Sequence, residues 1–282
     1  GILRLLVICS LCFFMWIFSD ACPGVAVIVG CGSKYDKDGT DTELPLTSKW
    51  GLGGALSLRF AAAGFHVVLL GRRSEVAEAV AAAVRAEGGT ATPVTCDVSN
   101  DASVSAAFEK AKALGNIEVM VFNCAPGWPE GRTFANLPLP HEVDPDYLQS
   151  SFNIGVTGCV RCVNQVIHQM LERGRGSILL SGATMALRGG ASFACMAPVK
   201  TALRSLGQSM YQQYAPQGVH VAHVVIDGVM ESPNTMSFGD KVMLQNPADI
   251  ADAYVQLHEQ KPTVWSYEIQ LSPCKGGAGM RL

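Results

Sequence analysis

Two glycine pairs carry the first chemistry legible in this chain. Gly30 and Gly32 follow the apolar run Val25–Val29, and Gly51 and Gly53 open a helical run. The segment Ser33–Trp50 separates them. Joined across it, they read Gly-Cys-Gly…Gly-Leu-Gly, a glycine-rich turn between a buried strand and a helix N-terminus. Such a turn holds pyrophosphate, because absent side chains let backbone N–H groups approach the phosphates and the helix dipole favours negative charge. Gly30, Gly32, Gly51 and Gly53 are therefore candidate cofactor-binding residues. Arg72 and Arg73 end the next strand-like run. A carboxylate there suits the ribose 2′-hydroxyl of NAD, whereas arginine meets a 2′-phosphate with two parallel hydrogen bonds. The pair favours NADP over NAD as cofactor; the competing reading is two surface arginines.

The elements that must position these residues alternate from Val25 onward. Strand-like runs are expected at Val25–Val29, His66–Leu70, Thr92–Thr95, Val119–Phe122, Ser177–Leu180, Val219–Ile226 and Glu268–Leu271. Helical runs are expected at Gly51–Ala63, Glu75–Glu87, Ala102–Leu114, Tyr147–Leu171, Pro198–Tyr214 and Pro247–Gln260. This alternation predicts an α/β fold, a doubly wound, mostly parallel, Rossmann-like sheet in a single domain over residues 23–282, with an insert at 33–50. The Pro/Gly-rich stretch Pro126–Pro145 falls at the C-terminal edge of the fourth strand, where ligands bind in open α/β sheets. A 49% hydrophobic content against 16% charged residues supplies a core. The net charge of −3 gives no electrostatic case for nucleic acid. Cys159 and Cys162 form a CxxC inside a helical run, with no second ligand pair, and read as packing, so no metal site is expected. The run Asp36-Lys-Asp38-Gly-Thr-Asp41 lacks the glycine and glutamate spacing of a calcium loop.

Residues 25–273 resemble the short-chain dehydrogenase/reductase family, and the resemblance rests on several motifs in the right order. Gly30, Gly32, Gly51 and Gly53 fit its glycine loop apart from the insert. Asp97-Val98 fits the acidic residue that contacts adenine. Phe122-Asn123-Cys124-Ala125 fits a variant of the Asn-Ala-Gly motif. Asn153 fits the catalytic asparagine, and Lys200 the lysine of Tyr-x-x-x-Lys. The resemblance implies a seven-stranded sheet, a homo-oligomer through two long helices, cofactor contacts from Asp97, Asn123 and Lys200, and catalytic roles for Asn153 and Lys200. Two positions depart from the pattern. Met196 stands where the tyrosine belongs, and Ala183 stands near the place of the serine.

Hydride transfer to a carbonyl needs a proton donor at the developing alkoxide and a hydroxyl to orient the carbonyl oxygen. A thioether and a methyl group supply neither. Ser181 and Thr184 are the hydroxyls near enough in sequence to polarise a carbonyl. His141 and Tyr147, near the ligand edge, are candidate proton donors or plain loop residues. Tyr211 shares a helix face with Lys200 but lies about 16 Å along the axis. Two functions follow. One is an oxidoreductase acting on a small carbonyl or alcohol with a reduced catalytic group. The other is a non-catalytic scaffold or nucleotide-sensing subunit. The acids and lysines of the insert, Asp36, Asp38, Asp41 and Glu43 against Lys34, Lys37 and Lys49, make a poor phosphate pocket unless the insert bulges away. The apolar N-terminal stretch 1–22, with Arg4 near its start, fits a signal peptide or membrane anchor and equally an extra helix. In the first case the chain is targeted or membrane-associated through residues 1–18, and otherwise it is cytoplasmic.

Overall fold

The computed structural model describes residues 24–32, 44–133, 136–233, 235, 236, 239 and 242–276. The N-terminal stretch, residues 33–43 of the insert and Phe238 lie outside the described residues. Strands β1 (Val25–Val29), β2 (His66–Gly71), β3 (Thr90–Thr95), β4 (Ile117–Phe122), β5 (Gly176–Ser181), β6 (Val219–Ile226) and β7 (Glu268–Leu271) form one parallel sheet in the order β3-β2-β1-β4-β5-β6-β7. The order reverses at β1, which pairs with both β2 and β4. That switch point opens a crevice at the C-terminal strand ends.

The central strands are buried on both faces and are nearly continuous in Val, Ile and Leu, as a covered parallel sheet requires. Side chains alternate between two cores. Ala26 and Ile28 face α2 (Gly51–Ala62), α3 (Ser74–Ala86) and α8 (Pro247–Glu259). Val25, Val27 and Val29 face α4 (Asp101–Lys112), α6 (Gly158–Arg173) and α7 (Ala197–Tyr214). Pro93 sits in β3 because β3 is an edge, where a missing N–H is harmless.

Two elements differ from the sequence reading. The insert is not loop throughout: Leu46–Lys49 forms a short helix, α1, directly before α2. The single long helix expected from Tyr147 is two helices, α5 (Pro145–Phe152) and α6, joined by a π-turn at Asn153–Thr157. Periodicity does not reveal one extra residue in a helical turn, and such turns gather at functional sites. Among the described residues no helix is long and apolar enough to cross a membrane.

Three histidines, His220, His223 and His258, are held below their ordinary pKa, first of all by burial. The unfolded chain therefore takes up protons that the folded chain refuses as pH falls below the ordinary histidine range. Stability is unaffected at high pH and is lost as pH falls from about 7 toward 5. Each unit of depression corresponds to about 1.4 kcal/mol. The melting temperature is expected to drop by several degrees over that interval, at roughly 2–4 °C per kcal/mol. A flat profile in thermal melts at constant ionic strength would contradict this account.

Candidate functional site

The two glycine pairs meet in space. Gly30 directly follows β1 with φ +93, and its N–H and that of Cys31 bind the carbonyl of Leu70 on β2 at 2.8 and 3.2 Å. The chain returns through α1 and Trp50 to start α2. A Cβ on Gly53 would lie 2.2 Å from the carbonyl oxygen of Gly30 and 2.6 Å from the carbonyl carbon of Cys31. The first turn of α2 thus rests directly on the backbone after β1. Trp50, the N-cap residue, offers no side-chain hydrogen bond to that turn, so the first N–H groups keep the polarity that attracts an anion. A helix N-terminus on a glycine turn is the chemistry that suits a diphosphate.

Across the switch point, Asn123 clamps the loop. Its Nδ2 donates to Gly30 O at 3.0 Å and its backbone N–H to Val29 O at 2.8 Å. The residue expected to touch cofactor thus also shapes the cradle. Arg72 is exposed beside the cradle, and the Arg73 guanidinium approaches Gly32. Asp97 spends Oδ1 on the backbone and hydroxyl of Ser99, at 2.9 and 2.7 Å. Burial would raise its pKa, but the Ser99 hydrogen bonds, with Arg72 and Arg161 nearby, hold it below the usual carboxylate range.

The catalytic end is arranged differently from the expectation. Lys200 is buried, and its ammonium donates to the carbonyl of Ser181 at 2.8 Å. Burial lowers its pKa to about 8. Ser181 does not serve as the expected polarising hydroxyl. Its Oγ pairs with Tyr254 Oη on α8 at 2.8 Å, inside the core of the opposite face. Alternation along β5 sends that side chain away from the α7 face, from which Lys200 comes. Thr184 sits nearer the edge, but it donates its proton to Asp227 Oδ1 at 2.7 Å, so its hydroxyl can accept but not donate. Asp227 itself is fully buried and also accepts from Ser272 at 2.7 Å.

Asn153 lies in the π-turn, where its Oδ1 accepts from Arg161 at 2.8 Å. Arg161 also reaches Asp101 at 2.9 Å, so it ties the asparagine to the segment after β3. Met196 is 4% exposed and packs with Leu137 and Cys195 under Trp128, Tyr147 and Phe193. The position of the missing phenol is therefore an apolar cluster. Tyr147 donates to Gly127 O at 2.8 Å, and burial raises its pKa; His141 is exposed. Cys159 and Cys162 are fully buried in the α6 core, as the packing reading expects. Sequence reasoning missed Arg161, which reaches Asp101 from far along the chain and Asn153 across the unforeseen π-turn, and His223, whose partner Glu268 lies on β7. Asp227 directly follows the apolar run of β6.

A family model described as short chain dehydrogenase matches residues 47–242. The short-chain reductase protein NovJ of Streptomyces niveus is 29% identical over 184 residues, covering 65% of this chain and 66% of that protein. The chain thus matches just under two thirds of that relative's length. A short-chain dehydrogenase from Rhodopseudomonas palustris superimposes with a TM-score of 0.70 at 27% identity, covering 89% of this chain and 98% of the other. A metagenomic short-chain oxidoreductase, solved in complex with NADP, superimposes with the same TM-score of 0.70 at 22% identity, covering 89% and 97%, a likeness of fold.

Proposed function

The chain belongs to the short-chain dehydrogenase family, whose members are NAD(P)-dependent oxidoreductases, and from that premise we propose that it binds NADP in preference to NAD and transfers hydride between the nicotinamide and a small carbonyl or alcohol. The observation that carries this reading is the closed glycine cradle, in which Gly53 seats the first turn of α2 on the Gly30 carbonyl. When bound, the nicotinamide supplies or takes the hydride. The chain's own residues do the rest. Gly30, Gly32, Gly51 and Gly53 admit the diphosphate, Arg72 and Arg73 receive the 2′-phosphate, and Lys200 presents a cation beside the strand ends. Asn153 and Thr184 are the remaining polar groups near that edge. A homo-oligomer through α6 and α7 belongs to the same proposal.

NADPH fluorescence titration tests the cofactor half. The double variant Arg72→Ala/Arg73→Ala is expected to weaken NADPH binding about 10- to 100-fold, the range for losing charge-assisted hydrogen bonds, and to leave NADH affinity within about twofold. Equal loss for both nucleotides would remove the preference for NADP. Carbonyl-dependent NADPH oxidation tests the reaction half. A second reading, a nucleotide sensor or scaffold without turnover, draws on the apolar packing of Met196 and the inward turn of Ser181. It predicts tight NADPH binding with no oxidation across a carbonyl panel.

A further inference from the structure

A buried carboxylate that the cradle does not use stands just past the end of β6. Asp227 is fully buried, and its backbone N–H donates to Leu271 O of β7 at 2.9 Å. Its Oδ1 accepts from Thr184 Oγ1 at 2.7 Å. Its Oδ2 accepts from Ser272 Oγ at 2.7 Å and from Gln270 Nε2 at 3.1 Å. Taking a carboxylate out of water is costly, and apolar packing often fills such a place at least as well. The group therefore calls for a use. Its partners differ in exposure: Thr184 is half-buried in the turn after β5, whereas Ser272 and Gln270 are exposed. The carboxylate thus links a hydroxyl at the strand ends to solvent on the β7 side.

The proton inventory at Thr184 gives this link a direction. A threonine hydroxyl carries one proton and two acceptor sites. Asp227 Oδ1 lies at 2.7 Å and the Ile226 carbonyl at 3.5 Å, so the proton belongs to the carboxylate. The lone pairs that remain can receive a hydrogen bond but not give one. A ketone or aldehyde oxygen brings no proton to such a group, whereas an alcohol does. The place of Thr184 suits a reactant. Met185, the next residue, packs on the apolar cluster that holds Met196, so the turn borders the position of the missing phenol. Backbone hydrogen bonds from Ala186 to Ala183 O at 2.8 Å and from Leu187 to Thr184 O at 2.9 Å fix that turn. Ser181 gives its hydroxyl to Tyr254 instead, and Asn153 receives Arg161.

We propose that Thr184 and Asp227 form a proton relay that takes the hydroxyl proton of a small alcohol, so that alcohol oxidation is the direction this site serves. The inference rests on the oxidoreductase reading above and names its substrate class. The alcohol donates its O–H to Thr184 Oγ1. Its carbinol C–H bond breaks, the hydride passes to NADP⁺, and the C–O bond becomes a carbonyl. The hydroxyl proton moves to the Thr184 oxygen as the threonine's own proton moves to Asp227 Oδ1. The alcohol is oxidised, NADP⁺ is reduced, and the carboxylic acid then releases its proton to solvent on the Ser272 side. Thr184 is the catalytic residue of this step, and Asp227 acts through it.

The test has two arms, and the first needs no turnover. tert-Butanol has a hydroxyl proton but no hydride to lose, and acetone has no hydroxyl proton. Saturation-transfer NMR on the protein with NADP⁺ measures how tightly each is held. tert-Butanol is expected to bind about 3- to 10-fold more tightly than acetone, the range for one hydrogen bond, and to lose that margin in Thr184→Val. The second arm is NADP⁺ reduction with isopropanol and benzyl alcohol. Thr184→Val and Asp227→Asn are each expected to lower kcat about a hundredfold or more, and Thr184→Ser to keep most of the rate. KM is expected to change little in Asp227→Asn. The double variant is expected to be no slower than Asp227→Asn alone, because the pair acts as a unit. Asparagine keeps the shape of Asp227 but cannot take the proton, so a merely structural carboxylate would leave kcat intact. Undiminished kcat in either folded variant would overturn the proposal, as would tert-butanol binding that ignores Thr184→Val. If Asp227→Asn does not fold, Thr184→Val at its half-buried site decides alone. A wild type that binds NADP⁺ yet oxidises no alcohol would refute the oxidoreductase reading and the relay with it; an active wild type indifferent to both substitutions would refute the relay alone.

Discussion

Gly53→Ala is expected to abolish measurable NADPH binding while leaving most of the sheet intact. The added methyl group would lie 2.2 Å from the Gly30 carbonyl oxygen and 2.6 Å from the Cys31 carbonyl carbon. Both are backbone atoms, so no rotamer change relieves the contact. Either α2 or the turn after β1 must move by about 1 Å to restore van der Waals distance. The turn resists, because Leu70 holds the N–H groups of Gly30 and Cys31, and Asn123 holds the Gly30 carbonyl. Movement therefore falls on the first turn of α2, whose N–H groups are the proposed phosphate donors. Overpacking of this kind costs about 1–3 kcal/mol of stability. The loss in NADPH affinity is expected to exceed about a hundredfold, because several charge-assisted hydrogen bonds lose their alignment together. Gly189→Ala is the control, since nothing lies within 4 Å of a Cβ there. Fluorescence titration and thermal melts on both variants settle the matter. Undiminished NADPH affinity in Gly53→Ala would mean that this cradle is not where the diphosphate sits.

The contrast between this cradle and the catalytic end explains what the sequence could disclose. Strand β6 was legible to the residue, because a run such as Val219–Ile226 must be buried on both faces wherever it lies. The meeting of Gly53 with Gly30 was legible too. Glycine spacing reports a close backbone approach even across an insert, since loop-closure entropy grows slowly with length. The direction of Ser181 was not legible. At a strand end, a one-residue difference in register decides which face a hydroxyl enters, and the partner that captures it, Tyr254, lies on a helix far along the chain. Arg161 and His223 were hidden for a related reason. Their roles come from Asp101 and Glu268, which only the folded sheet brings near, and from Asn153, which the unforeseen π-turn sets against Arg161. The short helix Leu46–Lys49 was missed because its few residues carry no apolar period.

Met196→Tyr is expected to raise carbonyl-dependent NADPH oxidation about a hundredfold, if turnover is what the cradle serves. A residue four positions before Lys200 lies one helical turn away on the same face, so the new phenol would stand beside the ammonium. A nearby cation favours phenolate and lowers the phenol pKa, and a positioned general acid contributes about a hundredfold to ten-thousandfold in rate. The surroundings oppose this. Leu137, Cys195 and the rings of Trp128, Tyr147 and Phe193 make the position apolar, which raises a phenol pKa. The lower end of the range is therefore the expected gain. The pH dependence follows from Lys200, whose pKa is about 8. Below that value the ammonium is charged and the gain is present; above it the amine is neutral and the gain fades. The larger side chain overpacks the cluster at a cost of about 1–3 kcal/mol. Met196→Phe carries the same bulk without the hydroxyl and isolates the acid from the strain. The tyrosine variant is expected to exceed the phenylalanine variant at pH 7 and to lose that margin in Met196→Tyr/Lys200→Ala. Equal, negligible oxidation in the tyrosine and phenylalanine variants, with NADPH still bound, would show that a proton donor was not the missing part, and the nucleotide-sensing reading would take the place of the enzymatic one.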